Sequence, residues 1–326
     1  MGIAKLPITL ACHGYDRVQA LKDGSVQPEG VDLRFIDLPV EEIFYRQSNF
    51  LEFDASEIGM SQLVLRDPQS LPFVAVPAFV SRMFRHSCVF VDPDRGISRP
   101  EDLRGKRVGV PEYPMAAAIW VRGFLADDFG VHPEELEWFT GGLETPGRVA
   151  KVAVTLPPDI HVEALPLDQT LNDWLDDGRL DAYIGPRAPR NPRLRRLFPD
   201  FETAESDYYR RTGVYPIMHC VAIRRELYER EPWLAQSLFK AFVAAKAQAL
   251  RDLSNTSSLQ SMLPWSHGML ERAQQVFGTD IYPYGVEASR GTLETMIRYC
   301  REQHLTGHEC EIDRMFAANT YGEYKI

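Results

Sequence analysis

Lysine is scarce in this chain, and positive charge is carried mostly by arginine. Acids outnumber bases by 46 to 36, which leaves a formal net charge of −10. A surface of that sign repels phosphate backbones and anionic lipid, which argues against nucleic acid and membrane as partners. Cysteine is sparse as well. The five present (Cys12, Cys88, Cys220, Cys300, Cys310) are scattered and odd in number, which fits a reducing compartment better than a disulfide framework. No apolar run approaches the ~18 residues needed to span a bilayer. The opening stretch MGIAKLPITLACHGYDR lacks the apolar core of an export signal, so the expected location is the cytoplasm. The motifs G-x-x-x-x-G-K-[ST], G-x-G-x-x-G and G-x-S-x-G are all missing, so nucleotide-dependent and serine-hydrolase chemistry lack support.

What is present is ordinary globular composition, 44% hydrophobic and 25% charged, in a chain of 326 residues. That length exceeds what one core usually supports, so two domains are expected. Strand-like and helix-like segments alternate along most of it. Lys5–Ala11, Val31–Ile36 and Ala55–Met60 read as strands and Glu41–Phe50 as a helix. Ser87–Val91 and Arg107–Val110 are short apolar strands separated by a capping turn with Ser98 ahead of Pro100, Glu101 and Asp102. Met115–Phe129 is a helix with a glycine stop at Gly130. Val162–Pro166, Leu171–Leu175 and Asp181–Ile184 repeat the strand–helix–strand theme, and Met218–Ile223 is a further strand. From Pro232 onward the spacing is mostly helical. This alternation predicts an α/β fold with largely parallel sheets. With crossing strands placed near 86–91 and 218–223, the expected domains are 1–87 plus 220–326, discontinuous, and 88–219 between them.

Several segments carry a resemblance. The run Gly96-Ile97-Ser98 … Asp102-Leu103-Arg104-Gly105-Lys106-Arg107-Val108-Gly109 resembles the turn by which type II periplasmic-binding-protein folds enter their second domain. Tyr15-Asp16-Arg17, Pro28–Leu33, Phe84–Cys88, Asp207–Gly213 with Pro216–His219, and Met262-Leu263-Pro264-Trp265 are similar to the 4,5-dihydroxyphthalate decarboxylase family. The similarity runs from about residue 5 to about residue 300. It implies two mixed sheets joined by crossing strands, with a ligand cleft between. It further implies a carboxy-lyase that converts a hydroxylated aromatic dicarboxylate to protocatechuate without oxidation or cofactor. A solute-binding protein that closes on an aromatic carboxylate without chemistry is the alternative from another class.

Such a decarboxylation requires a base for the phenol, an acid for the ring carbon and cations for carboxylates. In open α/β sheets these groups belong beyond the carboxyl ends of the strands. His86 and His219, one beside each expected crossing strand, are the candidate proton-transfer pair, since histidine titrates near neutrality. Arg85, Arg187 and Arg82 are the candidate carboxylate forks. Tyr15, Asp16, Arg17, Ser61, Glu112 and Tyr113 lie on loops expected at the same edge. Glu57 and Glu112 are the reserves should neither histidine carry the chemistry. Cys300, His304, His308 and Cys310 are metal-ligand types, but C-x3-H-x3-H-x-C is not a zinc spacing. No metal or cofactor is expected. The expected partner is a small aromatic acid, with room for a homo-oligomer.

Overall fold

A computed structural model describes residues 4–67 and 69–321. The chain divides into two compact units, each built on its own sheet. Unit 1 takes the chain up to Arg82, Ile217–Leu293 and the residues from Cys310 onward; unit 2 takes Met83–Pro216 and Glu294–Glu309.

In unit 1 the strands are β1 (Leu6–Ala11), β2 (Val31–Ile36), β3 (Ala55–Gly59), β4 (Phe73–Arg82) and β11 (Ile217–Arg224), in sheet order β2-β1-β3-β11-β4. The first three run parallel, while β11 is antiparallel to both its neighbours. The β-strand period of two is clearest in β2, where Asp32 and Arg34 alternate with apolar residues. β3 is different: all five of its residues are buried, including Ser56 and Glu57. Around this sheet stand the helices α1 (Gln19–Lys22), α2 (Val40–Phe50), α3 (Met60–Val64), α7 (Arg225–Arg230), α8 (Trp233–Leu253), α9 (Ser266–Phe277) and α11 (Ile312–Met315). The longest, α8, buries Leu234, Ala235, Leu238, Phe239, Ala241, Phe242 and Ala245. These recur at the three-to-four-residue spacing of one helix face.

Phe73–Arg82 carries Pro77 in its middle, which weakens its reading as a strand. In the fold β4 is the last strand of its sheet, where a missing N–H does no harm. Its pairing with β11 also slips between Val76, opposite Val221, and Ser81, opposite His219. Pro77 thus sits in a bulge at the sheet edge, and the bulge flanks His219. β4 and β11 are the strands by which the chain leaves and re-enters unit 1. The expected crossing strand near 86–91 is instead a 3-10 turn, His86–Cys88, followed by β5 (Val89–Val91) of the other sheet. The boundaries accordingly fall after Arg82 and Pro216 rather than after 87 and 219, and residues 294–309 join unit 2.

Unit 2 has the sheet order β10-β5-β9-β6-β7-β8, with β6 (Arg107–Val110), β7 (Glu137–Thr140), β8 (Val162–Ala164), β9 (Ala182–Ile184) and β10 (Arg195–Arg196). Its helices are α4 (Ala116–Phe129), α5 (Leu171–Asp176), α6 (Phe201–Thr212) and most of α10 (Arg290–Glu302). α4 is buried continuously from Ala116 to Leu125, as a helix hydrophobic on all sides must be. It stops at Gly130, whose left-handed φ of 61° suits glycine. The turn after β5 is organised from its far end, because the Asp102 carboxylate accepts the N–H groups of Ser98 and Arg99. Neither α6 nor β7 was anticipated from sequence, since their apolar residues are too few or too short a run to show a period.

Gly123 in α4 marks a tight contact between two helices of the chain. A Cβ built there would stand 2.1 Å from the Tyr299 ring of α10. That ring is fixed by its hydroxyl, which donates to Asp127 at 2.7 Å. Gly123→Ala should therefore destabilise the protein by ~1–3 kcal/mol through overpacking, despite alanine's better helix propensity. Urea unfolding would show a lower midpoint at unchanged slope; a midpoint at or above wild type would contradict the packing described.

Candidate active site

A polar cluster at the sheet edge in unit 1 is centred on Glu57. β1 and β3 run parallel, with Ala11 opposite Ser56, so the chain following β1 passes beside Glu57 at the carboxyl ends of both strands. β11 runs the other way and brings its first residues to the same edge. His219 pairs with Gly59, and Val221 pairs with Glu57. Glu57 and His219 are therefore diagonal neighbours on one face of an antiparallel pair, within reach of each other.

The Glu57 carboxylate is wholly buried and accepts from four donors. Oε1 takes His219 Nδ1 at 2.6 Å and the Tyr15 hydroxyl at 2.7 Å. Oε2 takes the His13 backbone N–H at 3.1 Å and the Cys12 thiol at 3.6 Å. Burial alone would raise this carboxyl's pKa. The His219 hydrogen bond and charge, Tyr15 and the His13 N–H outweigh it and hold the group below its ordinary value. Burial and the same carboxylate push the Cys12 thiol and the Tyr15 phenol well up, so both remain protonated donors. His219 keeps its other ring nitrogen, Nε2, out of this cluster, and its side chain is 19% exposed. The ring meets Phe44 edge-on at 5.0 Å. The arrangement is a carboxylate–imidazole dyad with one ring nitrogen anchored on a partly exposed side chain, a pairing suited to general acid–base chemistry.

Arg17 lies beside the dyad. Its guanidinium is stacked over the rings of Tyr15, at 4.0 Å, and Tyr282, at 4.6 Å. Nε donates to the Val80 carbonyl at 2.7 Å and Nη1 to Asp16 at 3.1 Å. Asp16 is exposed and braces Arg17. Ser61 occupies the first turn of α3, directly after β3, and is half-buried. Tyr15, Asp16, Arg17, Ser61 and His219 thus gather in unit 1. Cys12, Phe44 and Tyr282 join them without having been read from the sequence. Glu57, held in reserve there, becomes the centre; an acid inside the otherwise small and apolar strand ASEIG was its one signal.

Arg82 has another task. Its Nη2 donates to the Pro283 carbonyl at 2.8 Å and to the Ser289 hydroxyl, which ties segment 282–289 to β4.

The other candidates belong to unit 2. His86 is a core residue, 3% exposed, stacked on Phe124 at 4.1 Å with Phe198 and Tyr208 edge-on. Burial, aided by the Arg211 charge, lowers its pKa to about 4. A neutral ring in an aromatic box has no proton to give at neutral pH. Its carboxyl neighbour Glu205, 4.0 Å away, is raised by burial to about 7. Arg85 is buried against the sulfurs of Met83 and Cys88. Glu112 accepts from Arg148 at 2.7 Å and from the Lys151 backbone N–H at 3.0 Å, an ion-pair role that anchors the 148–151 loop. Tyr113 is buried, edge-on to Trp138, and Arg187 is exposed after β9. No group of three or more metal-ligating side chains occurs among the described residues.

Because Glu57 is held below its ordinary 4.5, its stabilising contribution is complete above that pH. It is lost as pH falls through the folded value. Glu57→Gln should remove this component. In urea unfolding between pH 6 and about 3, wild-type stability should fall more steeply than that of the variant; parallel curves would contradict an ionised Glu57.

A family model described as NMT1/THI5 like matches residues 54–147. The 4,5-dihydroxyphthalate decarboxylase of Comamonas testosteroni is 37% identical over 330 residues, covering 99% of this chain and 100% of that protein. The enzyme of the same name from Pseudomonas putida is 42% identical over 212 residues, 63% of this chain and 82% of that one. Among solved structures, the periplasmic aliphatic sulphonate binding protein SsuA from Escherichia coli matches with a TM-score of 0.53 at 13% identity, over 97% of this chain and 99% of that one. This last likeness concerns the fold alone, which is periplasmic-binding-protein-like, as expected from the sequence.

Proposed function

The chain belongs to the 4,5-dihydroxyphthalate decarboxylase family, and from that membership we propose that it decarboxylates 4,5-dihydroxyphthalate to protocatechuate and carbon dioxide. Identity of 37% over 99% of this chain to a relative of that name carries the reading. The Glu57–His219 dyad supports it by offering the chemistry the reaction needs.

Direct loss of carbon dioxide would leave an unsupported aryl anion. Each carboxylate of the substrate has a hydroxyl para to it, and this provides the way around. Removing the hydroxyl proton sends electron density to the carbon that bears the carboxylate. That carbon accepts a proton and becomes tetrahedral, with the former phenol oxygen now a ring ketone. The carbon–carboxylate bond then breaks, carbon dioxide leaves, and the bond pair returns through the ring to restore the aromatic phenolate. The phenolate takes a proton back, so the net reaction consumes one proton per carbon dioxide released.

In this proposal His219 moves the proton, through Nε2. Glu57 is a positioning residue: it fixes the Nδ1–H tautomer and stabilises the imidazolium. Arg17, held flat between two tyrosines, binds a substrate carboxylate with its guanidinium edge. His86, neutral and enclosed, is not assigned a proton-transfer step. The proposed compartment is the cytoplasm, supported by five cysteines of which none forms a disulfide and four are buried. The proposed context is the breakdown of aromatic acids. No helix among the described residues is long and apolar enough to cross a membrane.

Purified protein incubated with 4,5-dihydroxyphthalate should yield protocatechuate and carbon dioxide in equal amounts, and in deuterated water the vacated ring position should carry deuterium. Saturable binding without product would overturn the proposal in favour of a receptor. His219→Asn should lower kcat by about 10²-fold or more at little cost in KM. Arg17→Lys should act chiefly on KM, since a point charge replaces a planar fork. If turnover survives His219→Asn, another group delivers the proton.

A further inference from the structure

Unit 2 contains a cavity of about 370 Å³ that shares no residue with the cluster around Glu57. Arg122, Gln303 and Gly123 line it together with Pro133 and Ile160, and the acids Glu134 and Asp159 are among its exposed members. Arg122 is 1% exposed. Its Nε donates to Gln303 Oε1 and its Nη2 to the Tyr113 carbonyl, both at 2.8 Å. Its planar face rests on the Tyr113 ring at 3.8 Å. These partners are all neutral, and Nη1 has no hydrogen-bond partner. A desolvated cation without a counter-ion is costly, and a buried donor left unmade adds to that cost. Two of the cavity's acids are already committed: Asp127 pairs with Arg298 at 2.6 Å and Glu302 with the same guanidinium at 3.0 Å. Glu134 and Asp159 have no ion-pair partner among the described residues.

We propose that this cavity binds a small zwitterion of the amino-acid class, its carboxylate on Arg122 and its ammonium toward Glu134 and Asp159. A simple anion would satisfy Arg122 but meet repulsion from the two acids, and a simple cation would do the reverse. A molecule carrying both charges a few bonds apart satisfies both, and the volume suits a ligand of that size. The site lies wholly within unit 2, whereas the dyad lies in unit 1, so the inference does not depend on the reaction proposed above.

Calorimetric titration of the full-length protein with each proteinogenic amino acid tests it, with acetate and methylammonium as half-ligands. At least one amino acid should bind saturably, and both half-ligands should bind about tenfold or more weakly. Arg122→Met should abolish binding. Because that variant alters a buried position, the double variant Glu134→Gln, Asp159→Asn is the second arm; both positions are exposed, and affinity should fall about tenfold or more. Absence of saturable binding by any amino acid would overturn the proposal. So would acetate binding as tightly as the best amino acid, or affinity unchanged in the double variant.

Discussion

A carboxylate with no access to water, held by four donors from three parts of the chain, is the constraint on which unit 1 depends. Glu57 receives the backbone of His13 and the thiol of Cys12 from the end of β1, the hydroxyl of Tyr15 from the following turn, and the ring of His219 from β11. Leaving such a charge uncompensated would cost several kcal/mol. The register of β3 against its two neighbours is therefore coupled to the chemistry at their ends. One residue of slip would turn Glu57 to the other face. The stability of the sheet and the orientation of the candidate proton carrier are, in that sense, one problem with one solution.

The bulge between β4 and β11 bears on the same point from the other side. Pro77 withholds a donor, and the extra residues of β4 between Val76 and Ser81 alter the pairing next to His219. Bulges are common where a strand must aim a side chain, because they bend the backbone locally without ending the ladder. Here the irregular strand is the edge strand, so the sheet loses little by it. The chain's passage out of unit 1 and the presentation of His219 are handled within a few residues of each other.

Fold and family speak to different questions. The likeness to a sulphonate-binding protein extends over nearly the whole chain at 13% identity, and architecture at that distance says nothing about chemistry. A reactive site needs a titratable group whose proton is positioned and whose counter-charge is fixed. The Glu57–His219 pair has that character, while His86, boxed among Phe124, Phe198 and Tyr208, has the character of a core residue. Both are histidines near the chain's passages between units, and only their surroundings separate them.

The alternation of strand and helix was legible in the sequence, because period-two and period-3.6 patterns are local and each residue reports its own face. The span Val31–Ile36, the helix Trp233–Leu253 and the glycine stop at Gly130 follow from such patterns. Tyr15, Arg17 and His219 could likewise be picked out as candidates, since they lie at strand ends, and the fold places all three in unit 1 around Glu57. What the sequence could not supply was partnership. Glu57 lies in a strand with nothing to mark it except an acid among small and apolar residues, and its role rests on His219, 162 residues away. β4 was obscured by Pro77, whose harmlessness depends on being at an edge, a property of the sheet and not of the segment. His86 and Arg82 looked equal to His219 and Arg17 as residue types. Burial in one case and the Pro283–Ser289 contacts in the other set them apart, because desolvation and hydrogen-bond saturation belong to the folded neighbourhood and have no signature in the order of residues.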